Sequence, residues 1–264
     1  MKRISIGDIT LNVNVSGQGR PLLLVHGFPL DHTMWREQID ELSSGCRVIA
    51  PDLRGFGKSD VTEGKVTMQQ LADDVAALLK ALQVDQPVTF CGLSMGGYVA
   101  WQFCLRHSKM LERLILCDTR AVADTQEIAE FRLETAEQVA RDGSTRLIEN
   151  MMGKLFADES LSNSREFVEH TRQVMLATDP AGIAAALRGM AERPDMRNHL
   201  KDIHVPTLIV CGEHDVISPP EEMQEIASQM VHADYVEIAA AGHMAPLENS
   251  LAVNTAIREF LPVV

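Results

Sequence analysis

The segment from Cys91 to Tyr98, CGLSMGGY, places one serine among three glycines, after the apolar run PVTFC and before the helical pattern YVAWQFCLR. This context predicts a sharp turn between a strand and a helix. Gly92 and Gly96 would let the two elements approach closely, and Ser94 would take an unfavourable conformation that exposes its Oγ. Since a glycine-rich turn is also a common packing device, Ser94 is a candidate nucleophile that needs partners elsewhere in the chain.

The chain offers both partners that a serine nucleophile needs. His243, in a loop after the run DYVEI, is the candidate base, and Asp215, after TLIVC, is the acid that would orient the imidazole. The order Ser94, Asp215, His243 is that of α/β enzymes built on this turn. The segment VHGFP follows another apolar strand, so the N–H groups of Phe28 and Met95 are predicted to bind an oxyanion.

Two further residues have open assignments. Asp118 also ends an apolar strand, LILC, and is the alternative to Asp215 as the acid. We favour Asp215 because it fits the order of the three residues, and we expect Asp118 to have a supporting role. Leu30 lies two residues beyond Phe28, and its side chain is predicted to form a wall of the acyl pocket.

The candidate residues lie on a pattern of alternating strands and helices. The pair RISI and TLNVNV predicts an antiparallel hairpin at one edge, and six nearly continuous apolar runs predict buried parallel strands. This is a doubly wound α/β architecture. Residues 120–200 interrupt it with helical spacing only, so we expect a helical cap inserted into a core of residues 1–119 and 201–264. The six apolar runs are PLLLV, CRVIA, PVTFC, RLILC, TLIVC and DYVEI.

Composition narrows the class of function. The net charge of −13 over 264 residues, without a basic stripe, argues against a nucleic-acid partner. No apolar run reaches the roughly 18 residues that a membrane span requires, and no signal peptide is recognisable, so we expect a cytoplasmic protein without a membrane partner. Five scattered cysteines suit buried thiols, and no metal-ligand spacing or cofactor motif is present, so we expect neither a metal nor a cofactor.

Five segments in this order resemble the α/β-hydrolase superfamily: VHGFP, DLRGFGKSD, GLSMGGYVA, GEHDVISP and AGHMAPLE. Within it, the chain resembles small carboxylesterases and the related enol-lactonases that carry a helical cap. The resemblance implies a mostly parallel central sheet with helices on both faces, a cap over the pocket, and the triad Ser94, Asp215 and His243. The expected activity is hydrolysis of a small-molecule carboxylic ester with a short acyl chain.

Other functions remain open from the sequence. A lactonase or a cofactor-free perhydrolase would use the same triad, and a ligand-binding member of the superfamily would keep the fold without the activity. Enol-lactonases commonly place a cap aromatic residue near the substrate, whereas Trp35 and Trp101 both lie outside residues 120–200. The sequence does not predict the oligomeric state.

Overall fold

A computed structural model of the chain describes residues 1–163 and 166–262. The described residues form one eight-stranded sheet in the order β1-β2-β4-β3-β5-β6-β7-β8. β1 and β2 are antiparallel, β2 and β4 are antiparallel, and all other neighbouring strands are parallel. The strands are β1 (Lys2–Ser5), β2 (Thr10–Ser16), β3 (Arg20–Val25), β4 (Cys46–Pro51), β5 (Val88–Leu93), β6 (Leu111–Cys117), β7 (Thr207–Gly212) and β8 (Ala233–Ile238).

Helices connect the strands in the alternation that the sequence predicts. The helix that begins at Met68 is capped by Thr67, whose hydroxyl accepts a hydrogen bond from the Gln70 N–H at 3.1 Å. The helices are α1 (Arg36–Leu42), α2 (Met68–Ala81), α3 (Met95–Arg106), α4 (Gln126–Asp142), α5 (Thr145–Leu155), α6 (Asp158–Ser162), α7 (Glu166–Ala177), α8 (Pro180–Ala191), α9 (Pro220–Gln229), α10 (Ala245–Glu248) and α11 (Ser250–Phe260).

Both faces of the sheet are buried under helices, as the α/β-hydrolase fold requires. Side chains alternate along each strand, so Leu23 and Val25 join one apolar cluster while Leu22 and Leu24 join the other. Helices α2 and α3 cover the first face, and α1 and α11 cover the second. The expected mostly parallel sheet, the antiparallel edge hairpin and the helices on both faces are therefore confirmed.

The expectation of a buried strand is wrong for one run. In β8 only Ile238 is fully buried, because β8 is the last strand of the sheet and has one unpaired edge. The apolar residues of the run DYVEI therefore reflect packing on one face of the strand rather than burial on both faces.

The described residues between β6 and β7 contain helices and no strand. Within this insertion α4 packs against α8, and α8 joins the core because the Val66 N–H donates to the Ala185 carbonyl at 3.0 Å. The division into a core (1–119 and 201–264) and a cap (120–200) remains a prediction, and residues 164–165 and 263–264 of these ranges lie outside the described residues. None of the described helices is both long and apolar enough to cross a membrane.

The contact between α8 and the core generates a prediction. A Cβ at Gly189 of α8 would lie 1.7 Å from the Val66 carbonyl oxygen, so Gly189→Ala must displace backbone. We expect the free energy of unfolding to fall by about 2 kcal/mol, measured by urea denaturation. Gly153→Ala in α5 is the matched control, because nothing lies within 4 Å of that Cβ and the substitution should stabilise the helix by up to about 1 kcal/mol. Equal effects of the two substitutions would show that α8 does not dock in this way.

Candidate active site

Ser94 occupies the junction of β5 and α3 with a strained backbone. Its φ of 52° and ψ of −113° lie where residues with a side chain are uncommon. Hydrogen bonds to its peptide groups hold this conformation: its N–H donates to the Cys117 carbonyl at 3.0 Å, and its carbonyl accepts from Gly97 N–H and the Thr119 hydroxyl. These three hydrogen bonds fix the backbone of Ser94, and with it the direction in which the side chain leaves the turn.

The two glycines beside Ser94 are required by close approach of the backbones. A Cβ at Gly92 would lie 2.3 Å from the Gly96 carbonyl oxygen, and a Cβ at Gly96 would lie 2.2 Å from the Val25 carbonyl oxygen. No larger residue fits either position without moving a strand or α3. The sharp turn that the sequence predicts around Ser94 is present.

The loop after β3 lies against the nucleophile position. A Cβ placed on Gly27 would be 3.4 Å from the Ser94 Cβ. The hydrogen bonds of the described residues leave the N–H groups of Phe28, in this loop, and Met95, at the first position of α3, without an acceptor. A free donor directly after Ser94, and another in the loop that lies against it, are what binding of a developing oxyanion requires.

His26 holds this loop in place. Its Nε2 accepts the Leu53 N–H at 2.9 Å, which leaves Nδ1 to donate to the Gly27 carbonyl at 2.9 Å. Burial lowers the pKa of His26, in keeping with this neutral form. The ring is therefore used for structure and has no free nitrogen for proton transfer.

His243 and Asp215 come together from two loops after β7 and β8. The Nδ1 of His243 lies 2.8 Å from Asp215 Oδ2, and both residues are only 3% exposed. Since a carboxylate accepts, Nδ1 carries the proton and Nε2 is left as the basic nitrogen. Burial opposes the charge of Asp215, but electrostatic attraction to the His243 ring and hydrogen bonds from His243, Ser218 and Ile217 lower the pKa of the carboxyl below its ordinary value.

Ser218 is a site residue that sequence reasoning missed. The run SPPE, with a serine three residues before a glutamate, predicts Ser218 as the cap of a helix starting at Pro219. However, α9 begins at Pro220, and the Ser218 hydroxyl instead donates to Asp215 Oδ2 at 2.6 Å. The N–H groups of Ile217 and Ser218 donate to Oδ1 at 2.7 and 3.1 Å. The run from Asp215 to Ser218 is thus a turn around the carboxylate. A hydroxyl three residues after the acid was the only available signal.

The loop that carries His243 is attached to the helical insertion. The Met244 N–H donates to the Leu155 carbonyl at 3.0 Å. The Glu248 carboxylate accepts from Gly242 N–H at 2.7 Å and from Ala157 N–H at 2.8 Å. Residues at the end of α5 therefore help to set the position of the imidazole.

Asp118, the alternative acid, lies beside this pair without binding the histidine. It is fully buried at the end of β6 with a φ of 46°, and its Oδ1 accepts the Gly212 N–H at 2.8 Å. Within the described residues, the only carboxylate bonded to His243 Nδ1 is that of Asp215. The geometry favours Asp215 as the orienting acid.

Leu30 is 2% exposed and lies in the apolar cluster on the second face of the sheet. The same cluster contains Leu93 and Met244, the immediate neighbours of Ser94 and His243, together with Met152 of α5 and Met175 of α7. The backbone N–H of Leu30 donates to the Gly27 carbonyl at 3.0 Å. Its position as a wall of the acyl pocket stays a prediction.

The fold brings together two groups of side chains that sequence spacing did not reveal as possible metal ligands. They are Asp31, His32 and Asp52, and Asp118, Cys211 and Asp215. In the first group the His32 Nδ1 lies 2.6 Å from Asp52 Oδ1. Burial opposes the charge of Asp52, but bonds from the His32 ring and from the Lys58 and His32 N–H groups lower its pKa to about 2. Asp52 therefore has partners within the protein that account for its charge.

Known proteins share this arrangement over nearly the whole chain. A family model described as the alpha/beta hydrolase fold matches residues 20–250. A thermophilic esterase from Thermogutta terrifontis superposes with a TM-score of 0.95 at 44% identity, covering 98% of this chain and 97% of that one. An enol-lactonase from Burkholderia xenovorans superposes with a TM-score of 0.89 at 28% identity, covering 98% and 99%.

A curated sequence relative agrees with these structures. The 3-oxoadipate enol-lactonase 2 of Acinetobacter baylyi is 29% identical over 95% of this chain and 92% of its own length. The family model covers far more than half of the chain and includes the segments that carry Ser94, Asp215 and His243. The chain belongs to the α/β-hydrolase family.

Proposed function

We propose that this protein is a serine hydrolase that cleaves carboxylic esters through an acyl-enzyme. The observation that carries the proposal is the buried hydrogen bond of 2.8 Å between His243 Nδ1 and Asp215 Oδ2. It leaves a basic Nε2 on His243. The chain also provides a half-buried serine at a strained turn, and the free N–H groups of Met95 and Phe28. These are the parts that acyl transfer needs.

The first half-reaction forms the acyl-enzyme. His243 Nε2 accepts the proton of the Ser94 hydroxyl as Oγ attacks the ester carbonyl carbon. The negative oxygen of the tetrahedral intermediate accepts hydrogen bonds from the Phe28 and Met95 N–H groups, while the Asp215 charge stabilises the imidazolium. The intermediate collapses, and the imidazolium gives its proton to the departing alcohol oxygen.

The second half-reaction releases the acid. A water molecule gives its proton to His243 Nε2 and attacks the acyl carbon, which forms a second oxyanion at the same two N–H groups. Collapse breaks the bond to Ser94 Oγ, which takes the proton back. The products are one alcohol and one carboxylic acid, and no cofactor enters either half-reaction.

Lactone hydrolysis is the second candidate, because relatives named as enol-lactonases align over nearly the whole chain. A lactone is a cyclic ester, so the same steps would open it. We place esters first because the solved relative at 44% identity is described as an esterase. Parallel assays with an aryl ester and an enol-lactone would separate the two, and a far higher kcat/KM for the lactone would reverse our order.

We also propose a preference for short acyl chains. Leu30, Leu93 and Met244 lie in the same apolar cluster as Met152 and Met175 of the helical insertion, and all five are buried. Such packing leaves little room for a long chain. Each added methylene would improve binding, by about 0.8 kcal/mol, only until the space is filled.

Ser94→Ala tests the nucleophile directly. We expect kcat for a short-chain aryl ester to fall by about 10⁶, because the covalent step is lost. The melting temperature should change little, since the Ser94 hydroxyl forms no hydrogen bond to other described residues. Near-normal turnover by a folded variant would refute the assignment.

Asp215→Asn tests the acid. We expect kcat to fall by up to about 10⁴ with a nearly unchanged KM, because the amide can hold the imidazole in the wrong tautomer and cannot stabilise its charge. Asp118→Asn should reduce kcat far less, since Asp118 does not contact His243. A larger loss with Asp118→Asn, in protein shown to be folded by circular dichroism, would mean that the acid is misassigned.

Leu30→Ala tests the acyl pocket. Removing this side chain beside the oxyanion loop should move the optimum of kcat/KM, over a series of aryl esters, toward longer or bulkier acyl groups. The matched control is Leu22→Ala in β3, because Leu22 lies in the same buried cluster away from the loop. Both substitutions should lower the free energy of unfolding by about 2–5 kcal/mol, so only a change of acyl preference separates them. An unchanged preference in Leu30→Ala would assign Leu30 to the core.

A further inference from the structure

Asp118 has an unusual hydrogen-bond state for a buried carboxyl group. It is 0% exposed, and its Oδ1 accepts the Gly212 N–H at 2.8 Å. Its Oδ2 is buried and accepts no hydrogen bond from an N–H or hydroxyl group of the described residues, and the Asp118 side chain lies within hydrogen-bonding reach of the Asp215 carboxyl group. An ionised carboxylate in this position would leave a buried, charged oxygen without a donor or cation among the described residues, which is among the costliest arrangements in a protein.

In the described part of the chain, the ionisable groups around Asp118 are two thiols and one carboxyl group, and none of them is a cation. It faces Cys117 on its own strand, and Cys211 and Asp215 from β7 and the loop that follows. A carboxylate oxygen of Asp118, a carboxylate oxygen of Asp215 and the Cys211 Sγ all lie within 4.8 Å of one another. Two ionised carboxylates at this separation in a buried site repel strongly, so one of them must be neutral.

The hydrogen bonds decide which carboxyl group is charged. Asp215 accepts from Ile217 N–H, Ser218 N–H, the Ser218 hydroxyl and His243 Nδ1. Four donors stabilise the ionised form of Asp215, whereas Asp118 has one. The charge therefore belongs to Asp215 and the proton to Asp118.

We propose that Asp118 is a positioning residue held as a neutral carboxylic acid, so that Asp118 and Asp215 together present a single negative charge to His243. The role of His243 in this inference rests on the proposed function, whereas the protonation state of Asp118 does not depend on that function. Burial, and next the charge of Asp215, raise the pKa of Asp118 well above its ordinary value, in agreement with the geometry.

A neutral Asp118 has a measurable consequence for stability. Above about pH 4 the unfolded chain ionises Asp118, while the folded chain keeps the proton until its raised pKa is reached. The folded state then binds one proton more than the unfolded state, so the wild type loses stability as the pH rises through this window. A variant with a side chain that is always neutral escapes this loss.

The experiment compares the unfolding equilibrium of the wild type and Asp118→Asn by urea denaturation from pH 5 to pH 8. We expect the ratio of the two folding constants to shift toward Asp118→Asn by up to tenfold for each pH unit. Asp60→Asn is the control, because hydrogen bonds from the Thr10 N–H and from Arg3 lower the pKa of the Asp60 carboxyl and keep it ionised throughout this range. Its ratio to the wild type should stay constant between pH 5 and pH 8.

A ratio for Asp118→Asn that does not change with pH, or that shifts toward the wild type, would overturn the proposal. If Asp118→Asn does not fold, Asp118→Leu serves equally, since any neutral side chain gives the same slope. Failure of the proposed function is recognised separately, because this measurement needs no substrate.

The pH profile of kcat/KM tests the positioning role. If Asp118 is neutral in the wild type, Asp118→Asn should leave the acidic limb of the profile where it is. If Asp118 is ionised, its loss removes a negative charge close to the imidazolium, and the limb should move to lower pH by on the order of one unit. A shift of that size would contradict the proposal, whatever happens to the maximum rate.

Discussion

A negative charge buried on Asp215 is the constraint on which the rest of the site depends. The residue is 3% exposed, so its charge must be balanced by donors that the fold itself supplies. Three of them come from the turn that Asp215 begins, through Ile217 and Ser218, and the fourth is His243. This network fixes the tautomer of His243, and it also explains why a second carboxyl group nearby, Asp118, has to be neutral.

The position of His243 depends on the helical insertion as well as on the sheet. The Leu155 carbonyl and the Ala157 N–H, at and just after the end of α5, bond to Met244 and Glu248 of the histidine loop. Changes in this part of the insertion therefore act on the proposed base as well as on the room for substrate. The sharp turn at Ser94, in contrast, is held by Cys117 of β6 and by Thr119, so the nucleophile and the base are positioned by different parts of the chain.

Features set by local sequence could be predicted. The sharp turn around Ser94 needs glycine at positions 92 and 96 for steric reasons. The parallel strands are recognisable in the sequence because both of their faces are apolar. Features set by contacts between distant segments could not. The sequence suggested Ser218 as a helix cap, since nothing local shows that its hydroxyl turns toward Asp215. The environment of Asp118 depends on which strand lies beside β6, and the partial exposure of β8 depends on its place at the sheet edge.

The central claim is that Ser94, activated by His243 and Asp215, attacks the substrate, and covalent labelling tests it most directly. The folded protein would be treated with a fluorophosphonate, digested and mapped by mass spectrometry, with a parallel sample of Asp215→Asn. The account predicts one adduct on the peptide that carries Ser94, formed much more slowly in the variant because its imidazole is no longer an effective base. An adduct on another residue, or no adduct in protein that hydrolyses esters, would contradict it.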